Sequence, residues 1–184
     1  KNGTRLWKIG FNGKVMKTVS IASGHRAFYA AADYYHNIWI TDKQKHCILK
    51  YDRNLVLLDV FGSEGSGDNQ FIEPRGIAIW KRYGQTFVAE KKGAQYYWIG
   101  THLKNKGLLP NGPNTYSLTL DLTEYSFASI FRVSGADTTF ILRRRFMSAG
   151  PSSTVFVDPA NTLQNGNLVL RIEPTYSSFT FSKW

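Results

Sequence analysis

Apolar and polar residues alternate over short stretches along most of this chain, and a helical period is scarce. Runs rich in β-branched and aromatic residues are broken again and again by Gly, Asn and Asp, residues that end strands and make turns. The pattern predicts strands over Asn37–Thr41, Cys47–Tyr51, Val56–Phe61, Gly76–Trp80 and Thr86–Ala89. Further along it predicts Tyr116–Leu122, Ala128–Val133, Thr139–Phe146, Thr154–Val157, Leu168–Glu173 and a last run, Phe179–Phe181. Arg26–Asp33 is the one short helical candidate. The expected fold class is all-β.

A unit recurs in the first half. HNIWITDKQKHCILKYDRN, from His36, and GQTFVAEKKGAQYYWIG, from Gly84, both give a turn, a strand, an acidic residue, a basic turn and a second strand. Asp42 and Glu90 lie 48 residues apart; Arg26 and Arg75, each followed by a small residue, lie 49 apart. A partial earlier copy opens the chain, where Leu6–Ile9 and the Asn12-Gly13 turn echo Ile48–Tyr51 and the Arg53-Asn54 turn. Such a period, with about four strands in each copy, predicts propeller blades. Within a copy, Asp42 is placed to accept from N–H groups of the next turn. The Gly62–Gly67 stretch permits positive φ, and Pro74 suits the start of an inner strand. Trp39, Ile77 and Phe87 are expected to fill the space between blades.

The run from His36 to Ile79 resembles an NHL repeat. The resemblance rests on Asn37-Ile38-Trp39-Ile40-Thr41-Asp42, Ile48, Lys50-Tyr51-Asp52, Phe61-Gly62-Ser63, Gly65-Ser66-Gly67, Asn69-Gln70-Phe71, Pro74 and Gly76-Ile77-Ala78. In the flanking copies Glu90 takes the place of Asp42, and His25 that of Pro74. The resemblance implies partial NHL-type β-propeller blades over residues 1–104. A closed propeller takes about four to eight blades, and roughly two are present here. The expectation is therefore a piece of a longer protein, or a chain whose open blade faces are covered by partner chains.

Residues 105–114 are crowded with Gly, Pro and Asn and read as a linker. The closely spaced short strands over 115–184 predict a small β-sandwich, and the lack of a Cys pair excludes a disulfide-type immunoglobulin domain. This stretch resembles the Ig-like domain of flagellar hook-capping proteins, which also stands at the C-termini of many secreted bacterial proteins. Leu122-Thr123-Glu124, Ile130–Val133, Ser148-Ala149-Gly150, Thr154–Asp158, Asn165-Gly166 and Leu168–Glu173 carry the resemblance. Blades followed by such a sandwich imply an extracellular or cell-surface protein, with the sandwich as a spacer, docking or assembly module.

Composition adds three points. The chain of 184 residues carries a formal net charge of +10. Residues 1–107 hold 17 Lys and Arg against 8 Asp and Glu, and residues 108–184 hold 6 against 5, so the basicity belongs to the first part. A field of that sign draws polyanions such as nucleic acid or anionic polysaccharide, although solvated basic turns account for it equally well. No apolar run approaches the eighteen or so residues of a membrane-spanning helix. The lone Cys47 leaves no internal disulfide and no cysteine-based zinc site to expect, and its alternating surroundings read as core.

Candidate chemistry is sparse. No P-loop and no nucleophile elbow is present. Zinc lyases on NHL-like propellers need several channel-facing His, whereas only His25 lies at an inner-strand start, so neither a metal nor a cofactor is expected. The candidate binding residues are Arg26, Arg75, Lys91 and Lys92, with Tyr29 beside them, because Arg and Lys at repeat-equivalent turns can gather on one face. Arg143-Arg144-Arg145 lies within a strand, where alternation would turn Arg144 away from its neighbours. An interface or a charge-blunted edge would use them in that way. The expected function is non-enzymatic: an extracellular scaffold or adhesion component whose propeller face binds protein or glycan and whose sandwich docks to other chains. The alternative is a polyanion-binding module on the basic face.

Overall fold

The computed structural model describes residues 3–158, 160, 163 and 167–176. The expected strand Phe179–Phe181 and the Asn165-Gly166 turn lie outside the described residues. The regular structure is overwhelmingly β, as the alternation predicts, and the chain divides into two compact units, Lys1–Ile99 and Gly100–Trp184.

In the first unit, β1 (Arg5–Ile9) and β2 (Val15–Ser20) form a hairpin turned by Gly13, at φ 74°. Next, β3 (Tyr29–Ala32), β4 (Ile38–Asp42), β5 (Cys47–Tyr51) and β6 (Leu57–Phe61) make a four-stranded antiparallel meander. A short parallel pair, β7 (Ser63–Glu64) and β8 (Gln70–Phe71), leads to a second meander of β9 (Gly76–Trp80), β10 (Gln85–Ala89) and β11 (Ala94–Trp98). Strand β9 lies against β3 and β4. Successive meanders with their first strands adjacent form a propeller-like arrangement.

The four-stranded sheet is covered on both faces. Ile40, Cys47, Leu49 and Tyr51 pack with Ile21 and with Leu6 of the first hairpin. On the opposite face Trp39 meets Phe61 edge-on at 5.8 Å between ring centroids, and Phe61 meets Phe71 at 6.3 Å and Tyr97 of β11 at 6.5 Å. Gly62, at φ 102°, is required between the sheets, because a Cβ there would stand 2.6 Å from the Phe71 ring. Asp33 locks the β3–β4 turn. Its buried carboxylate accepts from the Asn37 backbone N–H, from Asn37 Nδ2 and from Trp39 Nε1, all within 3.0 Å.

The helix expected over Arg26–Asp33 does not form, because its last half is β3, paired with β4 from Tyr29–Thr41 to Ala32–Ile38. Alanine is the best helix former, but intrinsic propensity is worth under about 1 kcal/mol per residue, and pairing with a waiting sheet edge overrides it. The linker expected over 105–114 is also corrected. Leu103–Pro110 is a strand, β12, paired with β13 (Thr115–Leu122). Pro110 is tolerated because β12 is an edge strand. The Gly, Pro and Asn residues after it make the hairpin turn, with Gly112 at φ 128° and Asn114 at φ 51°.

The second unit is completed by β14 (Ser126–Ser134), β15 (Asp137–Met147), β16 (Gly150–Val157) and β17 (Asn167–Pro174). One sheet has the order β12-β13-β16 and the other β15-β14-β17. Leu118, Leu120 and Leu122 of β13 and Phe156 of β16 share a core with Ala128, Ile130, Leu142 and Met147 of the other sheet. The unit is thus a two-layer sandwich.

Candidate functional site

The expected basic face is assembled differently from its sequence spacing. Phe28 N donates to Thr41 O at the head of β3, and Arg75 N donates to Ala89 O at the head of β9. Arg75 therefore stands where Phe28 stands in the earlier copy, and Glu73 where Arg26 stands. The pairing of Arg26 with Arg75, and of His25 with Pro74, is off by two residues, because spacing counts residues whereas hydrogen bonding fixes register. Arg75 and Lys91 both bond to Glu73, and those two hydrogen bonds hold its carboxyl down at about 2. Lys92 is exposed nearby in sequence, on the turn before β11. Arg26 is exposed, and its backbone N–H is given to Asp42 Oδ2 at 2.8 Å. Next to it stand the half-exposed rings of Phe28 and Tyr29, with Lys43 Nζ 4.4 Å above the Phe28 ring. The Phe28 and Lys43 contact was not legible in the sequence.

A second surface is apolar. Strands β9 to β11 send Thr86 and Val88 inward, where both are fully buried, and turn Phe87, Tyr96, Trp98 and Trp80 outward. Phe87 stands 54% exposed, against the expectation that it packs between blades. Among the described residues of the first unit no further sheet lies over it. Phe87 and Tyr96 touch at 4.9 Å between centroids and Tyr96 meets Trp98 at 6.1 Å, so the rings form one ladder. Trp80 stacks edge-on with Tyr83 at 4.9 Å. The first hairpin is similarly bare at Trp7, Ile9, Val15 and Met16.

In the second unit Arg143, Arg144 and Arg145 are all exposed on the edge strand β15. Strict alternation fails there. A bulge opposite Ser129 leaves Arg144 at φ 38°, with its N–H given to Ser129 Oγ. Arg143 lies over Phe140 at 4.3 Å and Arg144 over Phe127 at 4.5 Å. The bulge and charges blunt an edge that could otherwise pair with another chain.

The last feature is a cluster in the first unit. Cys47 and Asp42 are cross-strand partners on β5 and β4. His25, from the loop before β3, brings Nδ1 to 3.2 Å from Asp42 Oδ2 and 3.6 Å from Cys47 Sγ. Asp42 behaves as its sequence position predicts, accepting at Oδ1 from Gln44 N and Lys45 N. Burial, and then the charge of Asp42, push the Cys47 thiol up to about 11 against a smaller opposing pull from Lys45. Cys47 is core, as expected, yet it also touches His25. The three residues are scattered along the chain with no metal-ligand spacing, so only the β4–β5 register reveals them.

No protein-family model matches the chain, and no curated protein matches it either. Among solved structures, virginiamycin B lyase from Staphylococcus aureus is similar over 94% of this chain and 78% of that one, at 10% sequence identity and a TM-score of 0.34. At that identity and score nothing about this chain rests on the likeness. Its all-β architecture stands on its own strand pairing.

Proposed function

We propose that this chain is a non-enzymatic binding and assembly component of the cell surface or extracellular space. Its first unit offers an aromatic face to a protein or glycan partner, or to further blades of a longer chain. Its second unit docks to other chains. The observation that carries the reading is the uncovered ladder Phe87–Tyr96–Trp98 with Trp80 beside it. Soluble proteins rarely expose a contiguous apolar patch unless something binds it, and Trp and Tyr dominate such contacts energetically.

On this reading the first unit is a pair of NHL-type blades. The acid latch at Asp42 and the positive φ at Gly62 and Gly65 support it. The second unit is read as an Ig-like sandwich. Its sheet orders β12-β13-β16 and β15-β14-β17 follow the A-B-E and C′-C-F pattern of immunoglobulin topology. Placement outside the cell rests on the resemblance of these two modules. No helix among the described residues is long and apolar enough to cross a membrane. The polyanion alternative is weaker, because Glu73 occupies both Arg75 and Lys91.

The test is binding of the labelled chain to glycan arrays and to bacterial surfaces, at low and raised salt, beside a Phe87→Ser/Trp98→Ser variant. Binding that survives salt and disappears in the variant supports the aromatic face. Binding that ignores the variant and collapses in salt replaces it with the polyanion reading.

A further inference from the structure

We propose that His25, Asp42 and Cys47 form a binding site for one zinc ion, with His25 Nδ1, Asp42 Oδ2 and Cys47 Sγ as its protein ligands. Their donor atoms all lie within 4.8 Å of one another. Tetrahedral zinc with ordinary bond lengths sets its nitrogen and oxygen ligands about 3.3 Å apart and its nitrogen and sulfur ligands about 3.6 Å apart. The His25 distances are 3.2 Å to Asp42 Oδ2 and 3.6 Å to Cys47 Sγ, so two edges of that tetrahedron already exist.

A nucleophilic Cys-His-Asp arrangement is the competing account. It needs the two imidazole nitrogens to face opposite partners, the acid on one and the thiol on the other. Here the carboxylate and the sulfur converge on the same atom, Nδ1. A proton relay through the ring has no path in this geometry, whereas a shared ion has a place. Cys47 is also only 3% exposed, beyond the reach of a substrate.

The surroundings hold the ligands. Asp42 and Cys47 are fixed by strand register. The carboxylate is pinned by Arg26 N, Gln44 N and Lys45 N, which leaves a lone pair of Oδ2 for the ion. Such outer bonds orient metal ligands and raise affinity. His25 is tied by its backbone N–H to Ala22 O, and its side chain is 19% exposed, so the cluster reaches solvent along the imidazole. The fourth position falls to water. With the ion bound, the neutral imidazole carries its proton on Nε2 and gives the Nδ1 lone pair to the metal, Asp42 remains a carboxylate, and the thiol proton leaves to solvent. A thiolate and an imidazole select zinc over calcium or magnesium, which take oxygen ligands.

The test is titration of the metal-stripped chain with Co²⁺ and Zn²⁺ chloride. The expected result is one equivalent of Co²⁺ with a sulfur-to-cobalt charge-transfer band in the near ultraviolet and strong visible bands of four-coordination. Cys47→Ser should abolish the near-ultraviolet band. His25→Ala should weaken binding by more than about tenfold, and His102→Ala should leave it unchanged. X-ray absorption of the zinc-loaded native chain decides the matter without any variant and should show one Zn–S distance of about 2.3 Å. A zinc shell of nitrogen and oxygen alone, no charge-transfer band, or equal affinity in Cys47→Ser overturns the site.

Discussion

Trp39 and Phe87 hold the same place in two copies of one repeat, each three residues before an acidic residue, Asp42 at the end of β4 and Glu90 just past the end of β10. Their cross-strand partners correspond as well, Lys50 for Trp39 and Tyr96 for Phe87. Trp39 is 3% exposed and Phe87 54%. The difference lies in what covers them. The face that bears Trp39 receives β9 to β11, and Lys50, only 2% exposed, sits 4.6 Å from the indole as a buried cation over an aromatic ring. Phe87 meets Tyr96 of the next strand in its own sheet and is otherwise largely exposed. The same repeat position is thus covered in one copy and bare in the other, and it is on this contrast that the proposed aromatic binding face rests.

Truncation tests that contrast most severely. Trp39→Ala should cost about 3–5 kcal/mol, the usual loss for a large buried aromatic. Phe87→Ala in the isolated chain should cost about 0.5 kcal/mol or less. Urea midpoints of the two variants measure both. A large loss at Phe87 that grows with protein concentration would mean the face is already covered by a second copy in solution.

The junction between the sheets comes next. Gly62→Ala places a methyl carbon 2.6 Å from the Phe71 ring on backbone at φ 102°. Strain and overpacking together predict a loss of about 2–3 kcal/mol. Phe71→Leu in the same background should recover part of it by giving the methyl room. Failure to recover would assign the loss to the backbone angle alone.

Cys47 gives a pH-dependent version. In the folded metal-free chain its thiol lies near 11, against an ordinary value of 9.0. The folded state therefore holds its proton where the unfolded state has lost it. The resulting stability is fully present below about pH 9 and gone above about pH 11, a difference on the order of 2 kcal/mol. Cys47→Ala should flatten the alkaline slope of the stability curve. An unchanged slope would mean that the thiol is not buried as described.

Much of this was legible in the chain. The strands Cys47–Tyr51 and Gly76–Trp80 stand as read, because alternation and flanking turn residues fix them locally. Asp42 was legible for the same reason, since the N–H groups it accepts from Gln44 and Lys45 are two and three residues away. What failed depended on distant partners. Tyr29–Ala32 has a helix-like composition and becomes a strand only because β4 is there. The β12 strand hides behind Pro110 and Gly107 until β13 pairs with it. Arg26 and Arg75 are alike in local sequence, but the hydrogen bonds at the heads of β3 and β9 shift them out of equivalence. His25 reaches Asp42 across 17 residues and Cys47 across 22, which no spacing rule connects.

The smallest stability effect belongs to that shifted register and bears on the polyanion alternative. The slot filled by Arg26 in the covered sheet is filled by Glu73 in the open one, and Glu73 carries Arg75 and Lys91 with it. Its carboxyl is depressed to about 2, so it stays charged through the neutral range. Whatever stability the pair of bonds contributes is complete above the ordinary carboxylate value of 4.5 and is lost as pH falls through about 2. The pairs are exposed, so Glu73→Gln should leave the urea midpoint close to that of the native chain. Its effect on charge is larger: the formal net charge rises from +10 to +11 and two cations are released together. If the basic face takes polyanions, heparin affinity should rise in the variant, and the slope of log affinity against log salt should steepen by one or two contacts. An unchanged slope, with carbohydrate binding still dependent on Phe87 and Trp98, would leave the aromatic face as the working surface of this unit and the Arg75 and Lys91 pairs with Glu73 as local structure.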